Sequence, residues 1–163
     1  MTGRTALTES FHTRLQRWGF NLFPAYRGTG GRVTFIASDW TEVRLEVPLN
    51  WRTRNYVGTI FGGSMYGALD PIYMLMLIKR LGPDYLIWDK EASIRFRRPG
   101  RATLYARFVL HDDEVAEIRS RLDVEPVLER SWRVELADRT GTVHAVVDKL
   151  IHIRRKRRST IND

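Results

Sequence analysis

The sequence predicts an α+β domain in which an antiparallel sheet wraps around a long central buried helix. Three observations predict it. Residues 62–81 form a nearly unbroken apolar run that opens on Gly62-Gly63 and closes on Lys79-Arg80-Leu81, just before Gly82-Pro83. Segments on both sides alternate apolar and polar residues at a period of two, as half-buried strands do. No repeat or low-complexity linker divides the 163 residues, a length that suits one core.

The elements follow in order. Leu7, Phe11, Leu15 and Trp18 fall on one helical stripe and predict an amphipathic helix over residues 5–19, with Thr5 as N-cap and Gly19 just past its end. Such a helix packs on the body or lies on a membrane surface; its polar face is not strongly basic, which argues for the body. Residues 20–31 read as a loop with Pro24 and the Gly28-Thr-Gly-Gly31 cluster. A strand follows that cluster where a dinucleotide fingerprint needs a helix.

Residues 32–37 and 40–49 predict a hairpin around Ser38-Asp39, with Val43, Leu45, Val47 and Leu49 on one face. Residues 50–59 are a polar connection. The run at 62–81 is apolar on every side, so it predicts a helix buried all round, roughly 30 Å long. Asp70-Pro71 interrupts it, and the apolar remainder is too short for the ~20 residues of a membrane span. Pro71 removes an N–H, so a bend is expected at this point.

Residues 85–97 predict a strand with Ala92, Ile94 and Phe96 inward, and 102–110 a second around the turn at Pro99-Gly100. Asp112 or Asp113 caps a short helix with Val115, Ile118 and Leu122 as its apolar stripe. Residues 125–136 and 142–153 form a last hairpin around Asp138-Arg139-Thr140-Gly141. Residues 1–153 are thus one domain, and 154–163 a basic, disordered tail.

Composition narrows the function classes. The chain has no cysteine, which excludes disulfides and thiolate metal sites. The first residues have no apolar signal-peptide core, so the cytoplasm is the expected location. The net charge is +8, and five basic residues sit together at 154–158; without residues 154–163 the balance is 22 basic against 18 acidic, or +4. That run suggests salt-sensitive attraction to nucleic acid or acidic membrane, but no aromatic residue interleaves with it for base stacking, so no specific nucleic acid is expected. His12, His111, His144 and His152 are scattered, and His111-Asp112-Asp113 reads as a strand end and helix cap; no metal site is expected.

The order Asn55, Gly58-Thr59, Phe61-Gly62-Gly63 and Asp70 resembles the hotdog-fold acyl-CoA thioesterase superfamily, in particular its phenylacetyl-CoA thioesterase type. That type carries an Asn, then Gly-Thr, then His-Gly-Gly opening the central helix, with a catalytic Asp nine residues after the His. Here Phe61 stands at the His position, and Asp70 lies nine residues on. Other stretches, such as Trp88-Asp-Lys90 and Phe96-Arg-Arg-Pro-Gly100, resemble an uncharacterised branch of the superfamily, a domain of unknown function.

The resemblance implies a hotdog fold, self-association as a dimer or tetramer, and hydrolysis of an acyl-CoA thioester to free acid and CoA. No cofactor is expected beyond the coenzyme A of the substrate. Asp70 is the candidate base or nucleophile, Gly62 and Gly63 are candidate oxyanion donors, and Asn55 orients carbonyl or water. The resemblance also implies that Asp70 of one subunit meets the glycines of another. Arg52, Arg54, Arg97, Arg98 and Arg101 suit the phosphates of CoA, and Phe61 and Tyr66 suit the acyl side. Each has a plainer role as well: Asp70 in satisfying backbone at the bend, the glycines in close packing, Asn55 in a turn, the arginines on a solvated face. Two other functions stay open, an acyl or acyl-CoA binding protein without catalysis, and an interaction protein that works through its basic tail.

Overall fold

The computed structural model describes residues 7–156. Its helices, numbered in chain order, are α1 (Phe11–Leu22), α2 (Pro24–Thr29), α3 (Gly62–Leu69), α4 (Ile72–Leu81) and α5 (Asp112–Val124). Its strands are β1 (Arg32–Ile36), β2 (Glu42–Val47), β3 (Tyr85–Phe96), β4 (Leu104–Val109), β5 (Leu128–Ala137) and β6 (Val143–Arg155). They form one antiparallel sheet in the order β1-β2-β4-β5-β6-β3. The period-two segments became these strands because their apolar rows share one face. Val43, Leu45, Val47, Leu104, Phe108, Val134, Leu136 and Val147 are all buried.

The central element is two helices rather than one. Pro71 offers no N–H to Gly67, and the path breaks over Asp70 and Pro71 before α4 resumes. The pair is also not buried all round. Met65, Ala68, Leu69, Ile72, Tyr73, Met76 and Leu77 are buried, whereas Tyr66, Asp70, Met74 and Leu75 are only half-buried and Ile78 is exposed. A run rich in apolar residues everywhere cannot by itself say which side meets the sheet.

The N-terminal region departs from expectation. The helix begins at Phe11, capped by Ser10: Thr13 N–H donates to Ser10 Oγ at 3.1 Å and Ser10 N–H to Thr13 Oγ1 at 3.0 Å. It runs through Gly19 to Leu22, so Gly19 is interior; Thr5 lies outside the described residues. Residues 24–29, expected to be loop, form α2, with Pro24 at its first turn and Gly30 at φ 79° as its left-handed cap. At the other end, β6 continues to Arg155, and Lys156 N–H donates to the Asp84 carbonyl at 2.8 Å. Arg154 and Arg155 therefore belong to β6, paired with Leu86 and Tyr85 of β3, and 157–163 lie outside the described residues. The capped α5 buries Val115, Ile118 and Leu122 as its pattern predicts.

Glu42 is the polar group most deeply set in β2, only 1 % exposed, and is gripped by Arg107 and Arg44. The hydrogen bond from Arg107 outweighs desolvation and, with Arg44, holds its carboxyl below the usual carboxylate range. Its stabilisation is therefore complete above its unfolded value of about 4.3 and is lost as pH falls through the lower folded value. Glu42→Gln is expected to lower the thermal midpoint near neutral pH. Melting curves should also show a shallower loss of midpoint than wild type between about pH 5 and about pH 3.

Candidate active site

Most of the sequence candidates fall in two places. The first is a cleft of about 370 Å³ at the N-terminus of α3, lined by Asn55, Thr59, Gly62, Phe96, Arg97 and Arg98 among others. Ser64 and Met65 N–H groups both donate to the Phe61 carbonyl, at 3.0 and 3.2 Å, and no side chain caps the helix. Among the described residues nothing accepts from the Gly62 and Gly63 N–H groups. These are the free donors and the positive dipole end that an oxyanion needs.

Packing also demands these glycines. A Cβ on Gly62 would lie 2.8 Å from the Phe96 ring, and one on Gly63 would collide with the Phe61 ring. Phe61 thus lies against the helix start, its ring offering no hydrogen bond. Asn55 closes its own turn: its Oδ1 accepts from Val57 and Thr59 N–H at 3.1 and 3.0 Å, and its Nδ2 donates to Thr59 Oγ1 at 2.9 Å. It shapes the cleft wall with its polar atoms already engaged.

Of the five candidate arginines, the structure brings two to the cleft, Arg97 and Arg98; their backbone N–H groups donate to the His144 carbonyl at 2.8 and 3.2 Å. Arg52 instead donates to the Arg27 carbonyl at 2.6 Å, and Arg54 and Arg101 are exposed outside the cleft lining.

The second place is the helix break. Asp70 is far from Gly62 along α3, about 12 Å for eight residues, and does not line the cleft. Its Oδ1 accepts two hydrogen bonds, from Tyr66 Oη at 2.7 Å and from Lys149 Nζ at 2.6 Å. Among the described residues no donor reaches Oδ2. Lys149 also sits 3.1 Å from Asp89 Oδ2 and lies over the Tyr66 ring.

Lys149 is 2 % exposed. It occupies the helix-facing row of β6, with Ala145, Val147, Ile151 and Ile153. Asp89 follows Ile87 on the matching row of β3, beside the irregularity at Asp89/Glu91. Desolvation raises the Asp89 carboxyl above its ordinary value against the pull of Lys149, and its Oδ1 is buried with no hydrogen-bond partner among the described residues. Burial, then the bond to Asp70, pushes the Tyr66 phenol up.

Neither Lys149 nor Asp89 stands out in the sequence as a site residue. The signal was a lysine inside the Ala145-x-Val147-x-x-x-Ile151 apolar row, a position where an unpaired charge is not tolerated. Tyr66, expected on the acyl side, donates its hydroxyl to Asp70.

Three of the four histidines have partners, and the fourth, His12, is exposed on α1. His144 bonds the Pro99 carbonyl and Asp138, His152 stacks on Trp88, and His111 caps α5. Among the described residues no three His, Asp or Glu side chains gather as a metal site. Nor is any helix among them long and apolar enough to cross a membrane.

Comparison with known proteins places this geometry. No curated protein matches the sequence. The structure is similar to PA5026 from Pseudomonas aeruginosa, a protein of unknown function named as a probable thioesterase: TM-score 0.78, 21 % identity, covering 88 % of this chain and 96 % of that one. It is similar to the thioesterase HI1161 from Haemophilus influenzae, with TM-score 0.65, 14 % identity, and coverage of 93 % and 96 %. A variant of the thioesterase PA1618, also from Pseudomonas aeruginosa, gives TM-score 0.64, 12 % identity, and coverage of 87 % and 94 %. At these identities the likeness is one of fold, the hotdog-type sheet around a central helix that the Gly62–Asp70 pattern resembles. A profile of the family described as "Domain of unknown function (DUF4442)" matches residues 12–153, and the chain belongs to that family.

Proposed function

We propose that the protein is an acyl-CoA thioesterase whose active site is completed by a second copy of the chain. The observation that carries this reading is the Asp70 carboxylate, with Oδ1 held by Tyr66 and Lys149 and Oδ2 left free on a half-exposed helix face. Reacting atoms must come within about 3.5 Å of one another, so a thioester cannot meet Asp70 and the Gly62–Gly63 donors of the same helix. Two features suit a second copy. β3 is a twelve-residue edge strand hydrogen-bonded only to β6. The half-buried face of α3–α4, with Met74, Leu75 and Ile78, adjoins it and offers apolar area to bury.

In this arrangement Arg97 and Arg98 at the cleft take the phosphates of CoA, and the Gly62 and Gly63 N–H groups face the carbonyl oxygen. Asp70 Oδ2 of the other copy takes a proton from water as the water oxygen bonds to the carbonyl carbon. The C–S bond then breaks, and the CoA sulfur leaves with the proton that Asp70 accepted. Tyr66 and Lys149 act through Asp70: by occupying Oδ1 they fix which oxygen faces the water.

A second reading, acyl-CoA binding without hydrolysis, is favoured by Phe61, whose ring supplies no hydrogen bond where the resembling family has a histidine. The test is solution mass together with free-thiol release from short, medium, long and aromatic acyl-CoAs. A dimer or larger assembly with turnover supports the thioesterase. A monomer removes the shared site, and an assembly that binds acyl-CoA without releasing thiol supports the second reading.

A further inference from the structure

Helix α1 is mounted the wrong way round for a helix that serves the core. Its polar side faces the body. Thr13 is buried, Asn21 Nδ2 donates to the Val33 carbonyl and Asn21 Oδ1 accepts from Val33 N–H, both at 2.8 Å. Arg17 binds Glu9, which in turn accepts from Ile36 N–H at 3.2 Å. These contacts pin α1 along β1. The apolar stripe points to solvent: Phe11 is 81 % exposed, Leu15 62 %, Trp18 59 % and Leu22 61 %, and Phe23 beyond the helix is exposed too. The stripe runs the length of the helix, roughly 16 Å.

Glu9 at the start of α1 is largely buried and engaged by Arg17 and, at 3.7 Å, by Arg14; the neighbouring segments carry no acid. No Asp or Glu occurs from residue 10 to 38, nor from 47 to 69. The two segments meet where Arg52 donates to the Arg27 carbonyl. Exposed Arg14, Arg27, Arg52 and Trp51 belong to them. The second copy invoked above does not explain the stripe. It adds at β3, and β1 is the opposite edge of a six-stranded sheet, roughly 24 Å away at about 4.8 Å per strand.

From these observations we infer that α1 docks the protein on an anionic lipid surface. Phe11, Leu15, Trp18 and Leu22 enter the headgroup–acyl boundary, and Arg14, Arg27 and Arg52 meet headgroup phosphates. The charge complementarity selects lipid phosphate as the partner, and the continuous Phe/Leu/Trp stripe selects a bilayer over a nucleic acid. The inference stands apart from the thioesterase reading, since it uses none of the Asp70 or Gly62 machinery.

The test is co-sedimentation of the full chain with vesicles of phosphatidylcholine alone or mixed with phosphatidylglycerol. Wild type and a Leu15→Gln/Trp18→Gln variant are compared at low and high salt, with thermal melts of both. The mixed vesicles are expected to carry down at least about tenfold more wild type than the neutral ones, less so at high salt. The variant, with an unchanged melt because both side chains are exposed, is expected to lose about tenfold or more of that binding. A Phe11→Ser variant repeats the comparison if the double variant melts early. Equal binding to neutral vesicles overturns the inference. So does undiminished binding of the variant, which would assign the contact to the basic residues at 154–158. Absence of vesicle binding would also overturn it, and a smaller solution mass for the variant would then assign the stripe to another copy of the chain.

Discussion

Asp70→Asn is expected to lower acyl-CoA turnover by about 10²–10⁴-fold, the contribution of a positioned general base, while the protein stays folded. Asparagine keeps an oxygen where Oδ1 now accepts from Tyr66 and Lys149, so the local hydrogen bonds survive. It removes the basic Oδ2, the oxygen no described donor occupies. Lys149 keeps Asp89 as its counter-ion, 3.1 Å away. The mutation thus separates chemistry from structure, and the pair of readouts is turnover and melting temperature. A fall in both together would assign Asp70 to the helix break, where Pro71 leaves the Gly67 carbonyl without its usual donor.

Lys149→Met has the largest expected effect on stability, a loss of about 3 kcal/mol. That is the lower end for breaking a buried ion pair, because Asp70 remains half-exposed. Methionine fills the row of Val147 and Ile151 well, so the loss comes from the carboxylates left behind. Asp89 sets the pH dependence. Its carboxyl is already raised by desolvation, with Lys149 pulling the other way, so removing the lysine raises it further. A raised carboxyl contributes stability below its unfolded value of about 3.9 and loses it as pH rises through the folded value. The gap in melting temperature between Lys149→Met and wild type should therefore be widest near pH 8 and narrow toward about pH 4. A gap that widens on acidification would mean that Asp89 is not the group left unpaired. Turnover should fall as well, since Oδ1 loses one of its two donors, and Lys149→Arg should restore part of it.

The strands were legible because a half-buried strand writes its orientation into alternate residues. Val43-x-Leu45-x-Val47 and Leu104-x-Ala106-x-Phe108 needed no tertiary information. α5 was legible for the same reason, through Val115, Ile118 and Leu122. The N-terminal helix was legible in kind but misplaced, because its cap is a Ser10–Thr13 pair and Gly19 is carried in mid-helix where a terminus was expected. Its apolar stripe alone does not say whether it meets the body; that it faces away follows from Asn21 bonding Val33 of β1 and from Glu9, held by Arg17, accepting from Ile36 N–H.

The central run shows the opposite limit. With apolar residues on all sides it encodes no buried face, and the half-exposed Tyr66–Asp70–Met74 side appears only when the sheet is in place. Of the candidate site, Gly62, Gly63 and Asp70 were legible as a spaced motif. Lys149 and Asp89 were not, because each is one polar residue in an otherwise apolar row. Their partnership depends on the register that sets β3 beside β6.

Free-thiol release from the acyl-CoA panel, with wild type and Asp70→Asn run side by side, decides whether Asp70 is the base of a thioesterase. Wild type is expected to turn over at least one acyl class, and the variant to lose that turnover at an unchanged melting temperature. Equal turnover by the two proteins, or none above background on any acyl-CoA, would contradict that role.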